Sequence, residues 1–120
     1  MSAERLRAAA TRLREVAGAA TPGPWEAMEY DNYPGDEGVA LLGSASTVTG
    51  SHMIGYFHVG EQAQMEADGA LAATMHPGVA LAMAAWLEAE AQTEADHPEF
   101  VGSVRQAAVY LARQILGRDA

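Results

Sequence analysis

Apolar residues recur at alternating steps of three and four from Leu6 through Ala9, Leu13, Val16 and Ala20. That spacing draws one apolar stripe along a helix. The chain is therefore predicted to open with a helix that starts at a Ser2 cap and ends near Gly18 to Ala20. In Thr21-Pro-Gly-Pro-Trp25 two prolines fix φ and remove backbone donors. Beyond this stiff turn the period shortens to two, with Trp25, Ala27 and Glu29 facing one way and Glu26, Met28 and Tyr30 the other. The turn-rich run from Asp31 to Gly38 is placed to close a hairpin into a second strand at Val39-Ala-Leu-Leu42. A third strand is predicted from about His52 to Val59. It turns Met53, Gly55, Phe57 and Val59 towards the core and His52, Ile54, Tyr56 and His58 away from it.

A helical region follows from Gly60 to Met75, where His76-Pro77 interrupts it, because the residue before proline is pushed out of the helical basin. Pro77 then suits the first position of the next helix, since the N–H it lacks is one the helix does not use. From Val79 to Leu87 there is no polar residue. This segment is predicted as a core helix running to about Ala95 and enclosed on nearly all sides. Its nine apolar residues fall short of the roughly 20 that a bilayer span needs. Asp96-His-Pro-Glu99 reads as the same device again, with Asp96 or His97 as cap and Pro98 opening a last helix. That helix carries the stripe Val101, Val104, Ala108, Leu111 and Ile115 and closes at Gly117. The expected fold is α+β and a single domain over residues 1–120. It consists of a small three-stranded antiparallel sheet packed on one side by about four helices, in the order α-β-β-β-α-α-α.

Composition sharpens this picture in two places. Cysteine is absent, which excludes disulfides, thiolate metal sites and cysteine nucleophiles. The net charge is −9, and its layout is uneven: no Lys or Arg occurs between Glu15 and Val104, a span holding fourteen carboxylates counted from Glu15 to Glu99. All seven basic residues are arginines and lie near the ends, at Arg5, Arg7, Arg12, Arg14, Arg105, Arg113 and Arg118. A binder of nucleic-acid backbone needs a basic stripe, so direct nucleic-acid binding is not expected. With a charged N-terminal helix and no long apolar run, the expectation is a cytoplasmic protein without membrane attachment.

The blocks Ala20-Thr-Pro-Gly-Pro-Trp25 and Asp68-Gly-Ala-Leu-Ala-Ala-Thr-Met-His-Pro-Gly-Val-Ala-Leu-Ala82 resemble a group of small actinobacterial and actinophage proteins. In that group an N-terminal helix and an ATPGPW turn precede strands and a later helix start containing Asp-Pro. The resemblance touches about half the chain. It departs at Leu71, Ala72 and Thr74, and at His76, which stands where the pattern has Asp. The group has no established chemistry, so the resemblance implies an actinobacterial or phage context rather than a mechanism.

Candidate chemistry is sparse. His52 and His58 share a strand face, but their Cα atoms fall roughly 20 Å apart. His76 and His97 precede prolines at helix starts, where turn geometry accounts for them. No tight ligand pair such as HExxH exists, so no metal site and no cofactor are expected. The polar loop from Ser44 to Ser51 lacks the Gly-Lys-Ser/Thr of a phosphate cradle, and Ser51 lacks a nucleophile elbow. Asp36-Glu37 and Glu88 with Glu90 read as solvated surface. The leading expectation is a non-enzymatic acidic interaction module without catalytic residues. As a phage or mobile-element accessory factor in host takeover or anti-defence, it would bind a protein partner, plausibly a basic one, and pair as a homodimer. The alternative is a small-molecule or nucleotide-binding protein whose pocket is lined by Trp25, Tyr30, Tyr56 and Trp86, with Tyr33 nearby.

Overall fold

The computed structural model describes residues 2–31, 37–43, 53–57, 61–100 and 102–117. The elements run α1 (Ser2–Ala19), β1 (Glu26–Asp31), β2 (Glu37–Leu42), β3 (Met53–Phe57), α2 (Gln62–Thr74), α3 (Pro77–Asp96) and α4 (Ser103–Leu116). The three strands pair antiparallel in the order β1-β2-β3, giving the expected α+β architecture. Contacts divide the chain into two compact units: Met1–Val16 with Ala80–Ala120, and Ala17–Val79. The first is helical and the second holds the sheet.

In the helical unit, Leu6, Ala9 and Ala10 of α1 share one core with Ala84, Leu87 and Ala91 of α3 and with Ala108 and Ala112 of α4. Six of these eight are alanines, whose small side chains allow helices to approach closely. Leu87 and Leu6 supply the bulk, and both are fully buried. The stripe expected in α1 holds as far as Leu13, while Val16 is left 43 % exposed.

The central helix is not enclosed. Ala84, Leu87 and Ala91 form a stripe of ordinary width, whereas Leu81, Ala82 and Ala85 are exposed. The absence of polar residues does not enforce enclosure, because alanine has the highest helix propensity and leaves little apolar surface to hide. A face made of alanine tolerates water.

The device at the end of α3 also differs from expectation. Asp96 remains helical, and the His97 N–H still reaches back to the Thr93 carbonyl at 2.7 Å. Pro98 then sits second in a tight turn that the Phe100 N–H closes onto the His97 carbonyl at 3.0 Å, a position that suits its fixed φ. The last helix begins five residues later, at Ser103. At its end Gly117 adopts φ 87° and donates its N–H to the Arg113 carbonyl at 2.9 Å, the glycine C-cap that the sequence predicted.

In the sheet unit, α2 packs on all three strands. It does so through a narrow line of buried residues, Met65 and Gly69. Gly69 lies so close to the sheet that an added Cβ would stand 2.7 Å from Val39 Cγ1 and 3.5 Å from Ala27 Cβ. Glycine is needed here for close approach. Ala27, Val39 and Phe57 thereby mark the covered face, while Met28 and Tyr56 lie open at 48 % and 56 % exposure. All three predicted strands are present, and a bulge between the partners of Leu41 and Leu42 interrupts the alternation of β3 at Ile54. Val59, His52 and His58 lie outside the described residues.

The junction from α2 to α3 follows the sequence closely. The Met75 N–H caps α2 on the Leu71 carbonyl at 3.0 Å, and Pro77 is the first residue of α3. The His76 ring accepts the Gly78 N–H on Nδ1 at 3.1 Å, so this histidine acts as a side-chain helix cap.

Candidate functional site

The two units treat their charges differently. The helical unit contains all seven arginines against eight carboxylates, a net charge of −1. The sheet unit contains eight carboxylates and no Arg or Lys, a net charge of −8. Nearly all the charge of the protein therefore belongs to the sheet.

Within that unit, Glu29, Tyr30 and Asp31 of β1, Glu37 of β2 and Gln62 of α2 line a cavity of about 380 Å³. The ladder places Asp31 directly opposite Glu37, so two carboxylates meet at the end of the β1–β2 pair, where like charges repel. A further crowding arises across the covered face. Glu29 hydrogen-bonds to the Glu66 carboxyl, and this bond is the main reason that its own carboxyl is raised above the usual range; repulsion from Glu66 and slight desolvation add to it. Gln62 Nε2 donates to Glu66 Oε1 at 3.4 Å. An acid pair of this kind favours one shared proton or an incoming cation.

The aromatic residues expected to line a ligand pocket are distributed. Tyr30 and Tyr56 come together edge to face, with centroids 6.4 Å apart and planes at 83°. Tyr30 also lines the acidic cavity. Gly38, its partner in the ladder, makes room for the ring, since a Cβ there would stand 2.9 Å from the Tyr30 hydroxyl and would strike the Phe57 carbonyl. Trp25 is half-buried and donates Nε1 to the Thr21 carbonyl at 2.8 Å, closing the proline turn on itself. Trp86 belongs to the helical unit and packs against its core. Tyr33, Asp36 and the Ser44–Ser51 loop lie outside the described residues.

In the helical unit three carboxylates, Glu88, Glu90 and Glu94, are paired with arginines. Arg14 grips Glu88 with two bonds, Nε to Oε1 at 2.8 Å and Nη2 to Oε2 at 3.0 Å, and this holds the Glu88 carboxyl below its usual range. Glu90 is not the solvated residue its sequence neighbours suggest. With Glu94 it surrounds Arg105, at 3.5 and 3.8 Å, and the three side chains are only 18 %, 20 % and 11 % exposed. The i, i+4 spacing of the two glutamates on α3 was the available signal for a shared cation. Arg105 also borders a second cavity of about 380 Å³ with Thr93, Phe100 and Ser103. His97 stacks on Phe100 and lies 3.4 Å from Glu99.

Among the described residues, no three His, Asp or Glu side chains are grouped to hold a metal ion, and no single helix is long and apolar enough to cross a membrane. In comparisons with known proteins, no family model, curated protein or solved structure matches this chain.

Proposed function

We propose that the chain is a non-enzymatic interaction module whose sheet unit captures a basic protein partner, as an accessory factor of a phage or mobile element in host takeover or anti-defence. One observation carries this reading: eight carboxylates and no basic residue lie on the sheet unit, with Glu29, Asp31 and Glu37 converging around one cavity. Crowded carboxylates without local cations raise the field at that surface, steer a cationic partner towards it and gain from its arrival. Tyr30, beside the carboxylates, offers a ring face to an arginine or lysine.

The test is affinity chromatography on the immobilised full-length chain against an actinobacterial lysate, followed by titration of the purified partner at rising salt. The expected outcome is a basic partner whose affinity falls about tenfold or more from low to physiological ionic strength. A second expected outcome is loss of that affinity when Glu29, Asp31 and Glu37 are replaced together by Gln, Asn and Gln. Binding that ignores salt and survives the triple substitution overturns the reading.

A further inference from the structure

Each unit carries an open face, and the two are complementary. On the sheet unit, the side turned away from α2 presents Met28 and Tyr56, 48 % and 56 % exposed. Ala40 of the middle strand stands directly opposite both of them in the ladder. A buried alanine between two larger exposed side chains makes a shallow trough, which the edge-to-face Tyr30 closes at one end. The strand alternation puts Glu26 on the same side as Met28, and no cation occurs anywhere in this unit.

On the helical unit, α4 buries Ala108 and Ala112 and turns Tyr110 outward at 66 % exposure. Ala107 and Arg113 stand one turn to either side of Tyr110, both exposed, and Val104 lies on the shoulder at 58 %. From Val101 to Gly117 there is no carboxylate. A helix with an outward aromatic, a flanking arginine and no acid matches an apolar trough that carries Glu26 and no base.

We propose that α4 of a second copy docks across the open face of the sheet, with Tyr110 in the trough over Ala40 and Arg113 against Glu26. The sheet unit, with a net charge of −8, repels the sheet unit of another copy, whereas α4 brings arginine and no acid. On this pair of faces opposite charge and exposed apolar area coincide. The contact joins two different surfaces, so it closes as a pair if reciprocated and extends into larger assemblies if it is not. It goes beyond partner capture, and the experiment below uses no partner, so either claim can fail alone.

Sedimentation velocity of the full-length chain over a concentration series is expected to reveal reversible self-association. Tyr56→Ser and Tyr110→Ser, both at exposed positions and checked for native circular dichroism, are each expected to weaken it by about tenfold or more. The decisive arm mixes the two variants. The intact α4 of the Tyr56→Ser chain can dock on the intact sheet of the Tyr110→Ser chain, so association returns on mixing. A chain that stays monomeric throughout overturns the proposal. So does association that neither substitution weakens, and so does mixing that restores nothing, because a face pairing with its own kind cannot be complemented.

Discussion

The helical unit and the sheet unit solve the same problem, holding carboxylates on a small fold, in opposite ways. In the first, Glu88 has Arg14, and Glu90 with Glu94 has Arg105. In the second, Glu29 hydrogen-bonds to another acid, Glu66, and Asp31 faces Glu37. Pairing lowers the energy of a charged surface and spends its binding capacity on itself. A unit that leaves eight like charges without a basic residue forgoes that stability and stays attractive to a cation. The packing differs as well. The helical unit is held by an alanine core around Leu6 and Leu87, and the sheet unit by α2 packing Met65 and Gly69 onto the three strands.

The largest effect expected on this contrast comes from the helical core. Leu87→Ala removes one of the two large fully buried side chains from a core made mostly of alanine. It is expected to destabilise the helical unit by about 2–5 kcal/mol. Hydrogen exchange resolved by segment checks this. Protection should fall along α3 and α4 first, and equal loss in β2 would mean that the two units unfold as one.

Gly69→Ala is the matching test of the sheet unit and should have a smaller effect. The new methyl meets Val39, which is stiff at χ1 and 2 % exposed, so overpacking of about 1–3 kcal/mol is expected, offset by roughly 1 kcal/mol of improved helix propensity. A net loss of about 0–2 kcal/mol in denaturant unfolding follows, and Val39→Ala in the same chain should recover part of it. A stabilised Gly69→Ala chain would show that α2 can lift from the strands.

The smallest and most diagnostic effect is the response to pH. The folded Glu88 carboxyl lies below its ordinary range, so its contribution is present above that range and is lost as pH falls through the lowered value. The folded Glu29 carboxyl lies above its ordinary range, so its contribution is complete below about pH 4 and is lost as pH rises through the raised value. Mild acidification from neutrality should therefore firm α2 on β1 before it loosens α1 from α3. Both groups are exposed and the changes small, so amide exchange is the suitable measurement. Glu29→Gln should abolish the gain in the sheet unit and leave the loss in the helical unit untouched.

Much of the fold was readable because its signals are local. Pro77 at a helix start, Gly117 at a helix end and the two-residue alternation of β1 each depend on neighbours a few positions away. Pro98 failed for a local reason too, because the same ring suits the second position of a tight turn as well as a helix start. The candidate site was readable only as composition. An acidic middle was evident, but the approach of Glu29 to Glu66 was not, because it depends on Gly69 letting α2 settle close to the sheet. Of the four aromatics chosen from the sequence, Tyr30 and Tyr56 meet, while Trp25 closes its own turn and Trp86 packs in the other unit.

Periodicity, prolines and glycines in the sequence were enough to determine seven elements in their order, since each acts on its own stretch of backbone. Tertiary structure decided which faces of those elements are covered. It left part of an alanine-rich helix in water, where propensity rather than burial sustains it. It also joined the two arginine-bearing ends of the chain into one unit and left the acidic middle to the other. Charges far apart in sequence become neighbours or strangers only through packing, so a list of residues can reveal how many there are but not which ones must face each other.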